Sequence, residues 1–362
     1  MNTSLASVIT PLALSILIRS ATAENPQFYQ QVQADSYAEP VPIHAFIGAW
    51  HAPERPGHLA FMDAYSETGI HSGNNTLAYT LSDDYMLRFS PALASMYYAY
   101  KNTQPLASGA YPVALQVQQI ATEGIRWGHR WSLQPSWSLT TGLNLLNGLS
   151  LINGQTNGMI NYSGPHFNAN NFPAANLNVD YAYSKPHLHE SELDTQWNPN
   201  QPTGVGYALD FALHGQWSAL LADLQVRNLA GKMHWSTVPQ TSYSADCQCA
   251  QHLYNFSGSL QKASHYEQTL PWVAEGHLQW QVAPGAITLD SFSNHLQTLI
   301  RAGVAIPSGL PKLSLKLAIE PQSHSVDLEC NSTNFSLRWQ SDALNMNQSH
   351  RLGTALRFNI PI

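Results

Sequence analysis

The chain has 362 residues, of which 44% are hydrophobic and only 11% are charged. Because a typical soluble domain has about 25% charged residues, a chain so poor in charge would have difficulty covering a water-exposed surface. Sixteen Lys and Arg against 23 Asp and Glu give a formal net charge of -7, which argues against nucleic acid as a partner.

Residues 1–23 are predicted to be a signal peptide. An apolar segment runs from Leu5 to Ile18, and Ala21-Thr22-Ala23 follows it as a small-residue cleavage site. We expect cleavage after Ala23, with Ala21 and Ala23 as the two small residues of the site. A single anchoring helix is the alternative, but the apolar segment is shorter than the roughly 20 residues that a membrane span requires.

Residues 24–75 are less regular than the rest of the chain, with Pro40, Pro42, Pro53 and Pro56 closely spaced. Proline cannot donate to a strand ladder and is rare inside paired strands. Three interpretations of this segment stay open: an arm outside the folded domain, a plug inside it, or first strands that the pattern defines poorly.

Residues 76–362 are dominated by alternation of apolar and polar side chains, which is typical of strands whose two faces differ. In residues 125–133 the large apolar side chains occupy the odd positions, except at His129. Gln134-Pro135-Ser136 indicates a tight turn, and residues 137–145 alternate again. The two runs predict a hairpin close to the roughly 9–11 residues that a membrane-spanning strand requires.

The same alternation recurs along the chain in strong and in weaker runs. The strong runs are residues 177–183, 205–213, 277–282, 313–320, 335–340 and 352–362, and the weaker ones are residues 85–89, 94–100, 112–117, 220–226, 254–260 and 326–330. Together they predict an all-β, antiparallel fold of about 12–14 strands, an even count being usual for single-chain barrels.

Two features favour a closed transmembrane β-barrel over a soluble β-sandwich or an extracellular β-domain. The polar faces are mostly small and uncharged, whereas a solvated sheet face usually carries many charged residues. The apolar faces also place aromatic residues near the ends of runs, where a barrel has its interface girdles: Trp127, Trp137, Tyr181, Tyr183, Trp280 and Trp339. Leu209, Phe211 and Leu315 are then expected to face lipid, and Asp210 and Lys316 the interior.

The end of the chain carries a short motif. Arg351, Gly353, Leu356 and Phe358 fill the polar, glycine and two hydrophobic positions of an eight-residue pattern. In this the chain resembles the β-signal of Gram-negative outer-membrane β-barrel proteins, although it ends on Ile362 and not on the aromatic residue usual in that class. The resemblance implies a place in the outer membrane, recognition by the barrel-assembly machinery, and contact with outer-membrane lipid and lipopolysaccharide. It indicates no particular subfamily.

No combination of residues predicts catalysis or a cofactor. His129 and Ser132 point to opposite faces of one strand, so they cannot form a nucleophile and base pair. Asp83-Asp84 is predicted to be a pair of solvated turn residues, and no complete catalytic motif occurs. We therefore expect a protein that is not an enzyme.

Two further clusters leave alternatives open. His187, His189 and Glu190 could share a face and bind a metal, but a His-rich surface loop is the favoured interpretation. Cys247 and Cys249 are predicted to be loop thiols, with a soft-metal site or a strained ring as alternatives.

The predicted organisation is a signal peptide at residues 1–23, an irregular segment at 24–75 and a β-barrel at 76–362. The leading functional hypothesis is a channel or transporter for small or lipophilic solutes. The alternative is a structural or assembly component of the cell envelope with a filled lumen, and a barrel enzyme acting on lipid is the third hypothesis.

Overall fold

A computed structural model describes residues 26–46, 48, 50, 54–163, 174–186, 196–248, 253–308 and 313–362. The strands are β1 Gln27–Ala38, β2 Leu59–Ser72, β3 Asn75–Phe89, β4 Gly109–Gln134, β5 Trp137–Tyr162, β6 Ala174–Tyr183, β7 Thr203–Trp217, β8 Leu220–Ser236, β9 Val238–Gln248, β10 Leu253–Ala263, β11 Tyr266–Thr269, β12 Val273–Val282, β13 Gly285–Ser293, β14 Thr298–Pro307, β15 Leu313–Glu320, β16 Ser325–Ser332, β17 Phe335–Ser341 and β18 Arg351–Pro361. The helices are α1 Ile43–Phe46 and α2 Pro91–Asn102, with a 3-10 turn at Met346–Gln348. In the described residues, no helix is long and apolar enough to cross a membrane.

Fourteen of these strands form one closed antiparallel ring. Around the ring the order is β1 to β5, β7, β8 and β12 to β18, and β18 pairs with β1 to close it. A closed ring leaves no strand edge unpaired, which is what a sheet surrounded by hydrocarbon requires. The predicted closed antiparallel barrel of about 12–14 strands is confirmed.

The two ends of the ring differ in their connections. At one end, here the short-turn end, neighbouring strands are joined by tight turns, including Gly73 with a φ of 56° and the predicted turn at Pro135-Ser136. The first residues of β1 and the last of β18 pair at this end. The opposite end, here the long-loop end, carries α1, α2 and the long connections between β5 and β7 and between β8 and β12.

Four strands build a sheet that projects beyond the ring at the long-loop end. This extension sheet consists of residues 152–161 of β5 followed by β6, β9 and β10, each antiparallel to the next. Tyr181 and Tyr183 lie in it and are 7% and 0% exposed, packed with Val179 in a small core. Their predicted place in an interface girdle was therefore wrong, because their strand is not part of the ring. Trp127 and Trp280, by contrast, are exposed on ring strands.

The run at residues 94–100, which alternation suggested as a weak strand, lies in helix α2, so that prediction was wrong. The helix begins at Pro91, and the Ser90 side chain caps it by accepting a hydrogen bond from the Leu93 amide. A short apolar run is compatible with either a helix or a strand. Here the Ser90 cap and Pro91 favour the helix. The irregular segment 24–75 contains β1, α1 and β2, and both strands pair within the ring.

The faces of the ring follow the predicted alternation. Leu209 and Leu315 are 37% and 44% exposed on the outward face, whereas Asp210 and Lys316 are buried in the interior. The predicted face assignment of these four residues is confirmed.

Candidate functional site in the lumen

The interior of the ring, here the lumen, is crossed by contacts between opposite walls. Phe61 of β2 and Phe292 of β13 stack with ring centroids 5.6 Å apart and an interplanar angle of 10°. Their strands lie seven positions apart in either direction around the ring. Both rings are almost fully buried, at 3% and 1% exposure. Opposite walls of the lumen are therefore in contact at this level.

A buried ion pair and a side-chain hydrogen bond also join separate strands across the lumen. The Arg227 Nη2 of β8 donates to Asp63 Oδ1 of β2 at 2.9 Å. The Arg227 guanidinium lies over the Tyr65 ring, with its Cζ 4.3 Å from the ring centroid. Gln33 of β1 donates to Glu275 of β12 at 2.6 Å. We call these groups the septum: Gln33, Phe61, Asp63, Arg227, Glu275 and Phe292.

Arg227 lies next to a bulge in β8. Asn228 and Ala230 have φ values of 60° and 52°, and the pairing of β7 with β8 shifts register around Leu229. A bulge interrupts the regular pairing of its strand and bends it locally. The backbone N–H of Asn228 donates to Asp210 Oδ1 at 3.1 Å. The bulge is thus hydrogen-bonded to a charged side chain of the lumen.

A first charge network surrounds this point. Arg126 of β4 lies between Glu67 of β2 and Asp210 of β7, at 3.1 Å and 2.9 Å respectively. The hydroxyls of Tyr29 and Tyr65 both donate to Glu67. Each carboxylate thus has several donors, as a charge buried away from water requires.

A second charge network lies on the wall formed by β14 to β18 and β1. Asp35 accepts from Arg338 at 2.7 Å and from Arg351 at 2.8 Å. Arg351 also reaches Glu320 at 3.1 Å. Asp327 lies 3.0 Å from Arg301 and 3.1 Å from Arg338. The three arginines and three carboxylates come from six consecutive strands and pair with one another, so this network holds the wall together from inside.

The acidic doublet Asp83-Asp84 lies in the middle of β3, so the prediction of solvated turn residues was wrong. In a strand, adjacent residues face opposite sides. Asp83 accepts from Gln119 at 3.1 Å. Asp84 is 1% exposed, lies opposite Asp63 in the β2–β3 pairing, and makes no side-chain hydrogen bond within the described part of the chain.

Two cavities flank the septum. The short-turn cavity, about 510 Å³, is lined by inward side chains of β8 and β12 to β18, among them His277, Lys316 and Glu329. The long-loop cavity, about 470 Å³, lies at the other end of the lumen. It is lined by β3, β4, the extension sheet, β11 and the β13–β14 connection.

Amide and aromatic side chains dominate the long-loop cavity, with Arg88 and Asp180 as its charged residues. The Asn153 amide donates to the Tyr266 hydroxyl at 2.6 Å. Burial raises the pKa of Tyr266, which therefore stays a neutral hydroxyl. Burial and the Arg88 guanidinium lower the pKa of His295 below its ordinary value, so its imidazole is neutral near pH 7. The cavity thus presents mainly uncharged donors and acceptors.

The outward face of the ring is a continuous band of exposed apolar side chains. It includes Leu143, Leu145, Leu224, Leu278, Leu289, Ile300, Val304, Leu317, Ile319, Val326, Leu328 and Leu337. Soluble monomers rarely expose an apolar surface of this extent, whereas a closed barrel with this band and an interior of polar residues fits a membrane. The chain folds as a transmembrane β-barrel of the outer-membrane type. In this class the short turns face the periplasm and the longer loops face the outside.

No protein-family model matches the chain, and no curated protein is significantly similar to it in sequence. Solved structures to which it is similar include the TodX deltaS2S3 mutant monoaromatic hydrocarbon channel, at 10% identity and a TM-score of 0.45 over 100% of this chain and 95% of that one. The P. putida toluene transporter TodX has 8% sequence identity to this chain and a TM-score of 0.42, over 96% of this chain and 92% of that one. The translocator domain of the autotransporter NalP from Neisseria meningitidis has 10% sequence identity and a TM-score of 0.29, over 99% of this chain and 96% of that one.

The residues of the predicted assembly signal lie on β18, which pairs with β17 and β1. Arg351 and Gly353 are buried on the lumen side, and Leu356 and Phe358 lie on the opposite face. Recognition by an assembly machinery stays a prediction. Ala21 and Ala23 lie outside the described residues.

The predicted ligand clusters have mixed outcomes. His187, His189, Glu190 and Cys249 lie outside the described residues. Cys247 is a buried, disulfide-bonded residue of β9, so the prediction of a loop thiol was wrong. Among the described residues, no group of three potential ligands could hold a metal ion.

Sequence reasoning missed the charged residues that meet in the lumen. The available signal was a single charged residue on the polar side of an alternating run, as with Arg227 in β8 and Arg338 in β17. A lone charge that alternates with apolar neighbours points inward in a barrel and needs a partner there.

Proposed function

We propose that the protein is an outer-membrane channel for small solutes, closed at the septum in this conformation. The observation that carries the proposal is the pair of cavities of about 470 and 510 Å³. They lie at opposite ends of the same lumen and are separated by the six septum side chains. Volumes of roughly 300–1,000 Å³ are those of sites for small molecules.

The lining of both cavities favours a solute with hydrogen-bonding groups. Amides and mixed charges line the short-turn cavity, and in the long-loop cavity the apolar surface is confined to a few side chains such as Met86 and Leu296. A purely lipophilic solute would strip water from these polar groups without replacing the lost hydrogen bonds, which is unfavourable.

A barrel with a filled lumen and a structural role in the envelope is the second candidate. The septum supports it, because the buried Asp63–Arg227 ion pair connects β2 with β8 across the lumen. The two charge networks add buried ion pairs that hold nearby strands together from inside. The two candidates differ in whether the septum can open.

Single-channel recording in planar bilayers tests the proposal. The wild type is expected to give rare, brief openings. The double variant Asp63→Asn, Arg227→Gln removes the ion pair without leaving one buried charge alone, and should open more often and conduct more. Asn198→Ala, an exposed position outside both cavities, is the matched control and should behave as wild type. No current from any of the three proteins would reject the channel in favour of the filled barrel.

A further inference from the structure

The extension sheet carries a regular array of polar side chains on one face. Four neighbouring strands place Gln155, Asp180, Ser242 and Ser259 side by side in one row. The next row on the same face is Asn157, Asn178, Ser244 and Ser257. These eight residues, here the polar grid, all line a shallow cavity of about 340 Å³. In such a sheet, directly opposed side chains are about 5 Å apart.

The polar grid is available to a ligand. Seven of its eight residues are exposed, and Ser244 is half-buried. Within the described part of the chain, Gln155, Asn178 and Ser242 make no side-chain hydrogen bond. The opposite face of the sheet packs Val179 and Tyr181 in a core, which holds the backbone beneath the grid in place. The spacing of the strands that carry the grid is therefore fixed before binding, which lowers the part of the entropic cost that comes from the backbone.

The chemistry of the grid restricts the class of ligand. Asp180 is its only charged residue, so it lacks the cluster of basic residues that polyanions require. It also lacks the Trp and Arg anchors that are enriched in protein–protein interfaces. Amide and hydroxyl side chains can each donate and accept hydrogen bonds. They therefore match a neutral ligand whose own groups also donate and accept hydrogen bonds. Such a ligand is rich in hydroxyls.

We infer that the polar grid binds a soluble, neutral oligosaccharide outside the cell. Gln155 and Asp180 also line the long-loop cavity, so the grid is continuous with the outer mouth of the lumen. This continuity favours a soluble oligosaccharide over a polysaccharide anchored in the membrane. The inference goes beyond the proposed channel and does not require that the lumen conducts.

The test uses the full-length protein in detergent micelles and immobilised oligosaccharides of glucose, mannose, galactose and N-acetylglucosamine. We expect binding to at least one of the four. Asn178→Ala and Ser242→Ala should each weaken it about two-fold to ten-fold, the effect of losing one hydrogen bond. Asn198→Ala, exposed but outside the grid, is the matched control and should bind as wild type. Binding should be equal at about 0.1 M and 1 M salt, because a neutral ligand is not screened.

Three results would overturn the inference: no binding to any of the four, binding that is lost both at high salt and in Asp180→Asn, or binding only to polysaccharide anchored in vesicles. A protein that binds sugar but never conducts would contradict the channel alone. A protein that conducts but fails to bind would contradict the grid alone.

Discussion

At the scale of single residues, two positions of the C-terminal motif have a structural role of their own. Arg351 is 0% exposed and holds Asp35 and Glu320 together. A Cβ at Gly353 would lie 2.8 Å from Arg338 Nη2 and 3.0 Å from Asp35 Oδ1. A larger residue would therefore displace the second charge network. These contacts favour Arg and Gly at the two positions independently of any recognition during assembly.

Replacing Arg351 by Ala should lower the free energy of unfolding by about 3–5 kcal/mol, because it removes the basic partner of the buried Glu320 carboxylate and leaves Asp35 with Arg338 alone. The measurement is urea unfolding in lipid vesicles, followed by tryptophan fluorescence, after refolding without any assembly factor. Arg357→Ala is the matched control, since Arg357 lies on the same face of β18 but is exposed, and it should change stability by less than about 0.5 kcal/mol. Equal effects of the two substitutions would contradict the role assigned to the network.

At the scale of the element, alternation fixes which side chains of a strand meet lipid. In β15, Leu315 is 44% exposed on the outward face, whereas its neighbour Ser314 lines the short-turn cavity. The strand needs both kinds of surface because its two sides face different media.

Leu315→Arg should destabilise the barrel by about 2–4 kcal/mol if the position lies near mid-membrane. Ser314→Arg places the same charge one residue away, in a polar cavity, and should cost clearly less. The same unfolding assay measures both free energies. A larger loss for Ser314→Arg than for Leu315→Arg would show that the two faces of β15 are inverted.

Element length was less predictable than element type. β4 and β5 each have 26 residues, although their alternation suggested strands of about membrane length. At the long-loop end these two strands extend beyond the ring and carry the extension sheet. Side chains in that sheet also alternate between an apolar face and a polar face. Alternation reports that two faces differ and does not distinguish lipid from a small protein core.

At the scale of the whole molecule, closure depends on one strand. β18 pairs with β17 on one side and with β1 on the other. Without it, two rows of backbone donors and acceptors would face hydrocarbon, and each unsatisfied group costs several kcal/mol there.

Deletion of residues 351–362 should therefore prevent formation of the barrel. We expect a protease-sensitive chain without the SDS-resistant band whose mobility shifts on heating. Replacing His187 and His189 by Ala serves as the control and should leave that band unchanged. Normal membrane insertion of the truncated chain would contradict the closure seen here.

The sequence by itself determined the strand class, the inward and outward faces and the closed membrane barrel. Alternation could be recognised in short runs of residues, and the low fraction of charged residues in the composition, without knowledge of any long-range contact. The tertiary structure alone decided which charged residues meet. Asp63 and Arg227 are 164 positions apart, and Asp35 and Arg338 are 303 apart. Such partners are set by strand order around the ring and by how closely opposite walls approach. The septum and the two cavities form because inward side chains meet only after the ring has closed. The polar grid depends instead on the pairing of β5, β6, β9 and β10 beyond the ring.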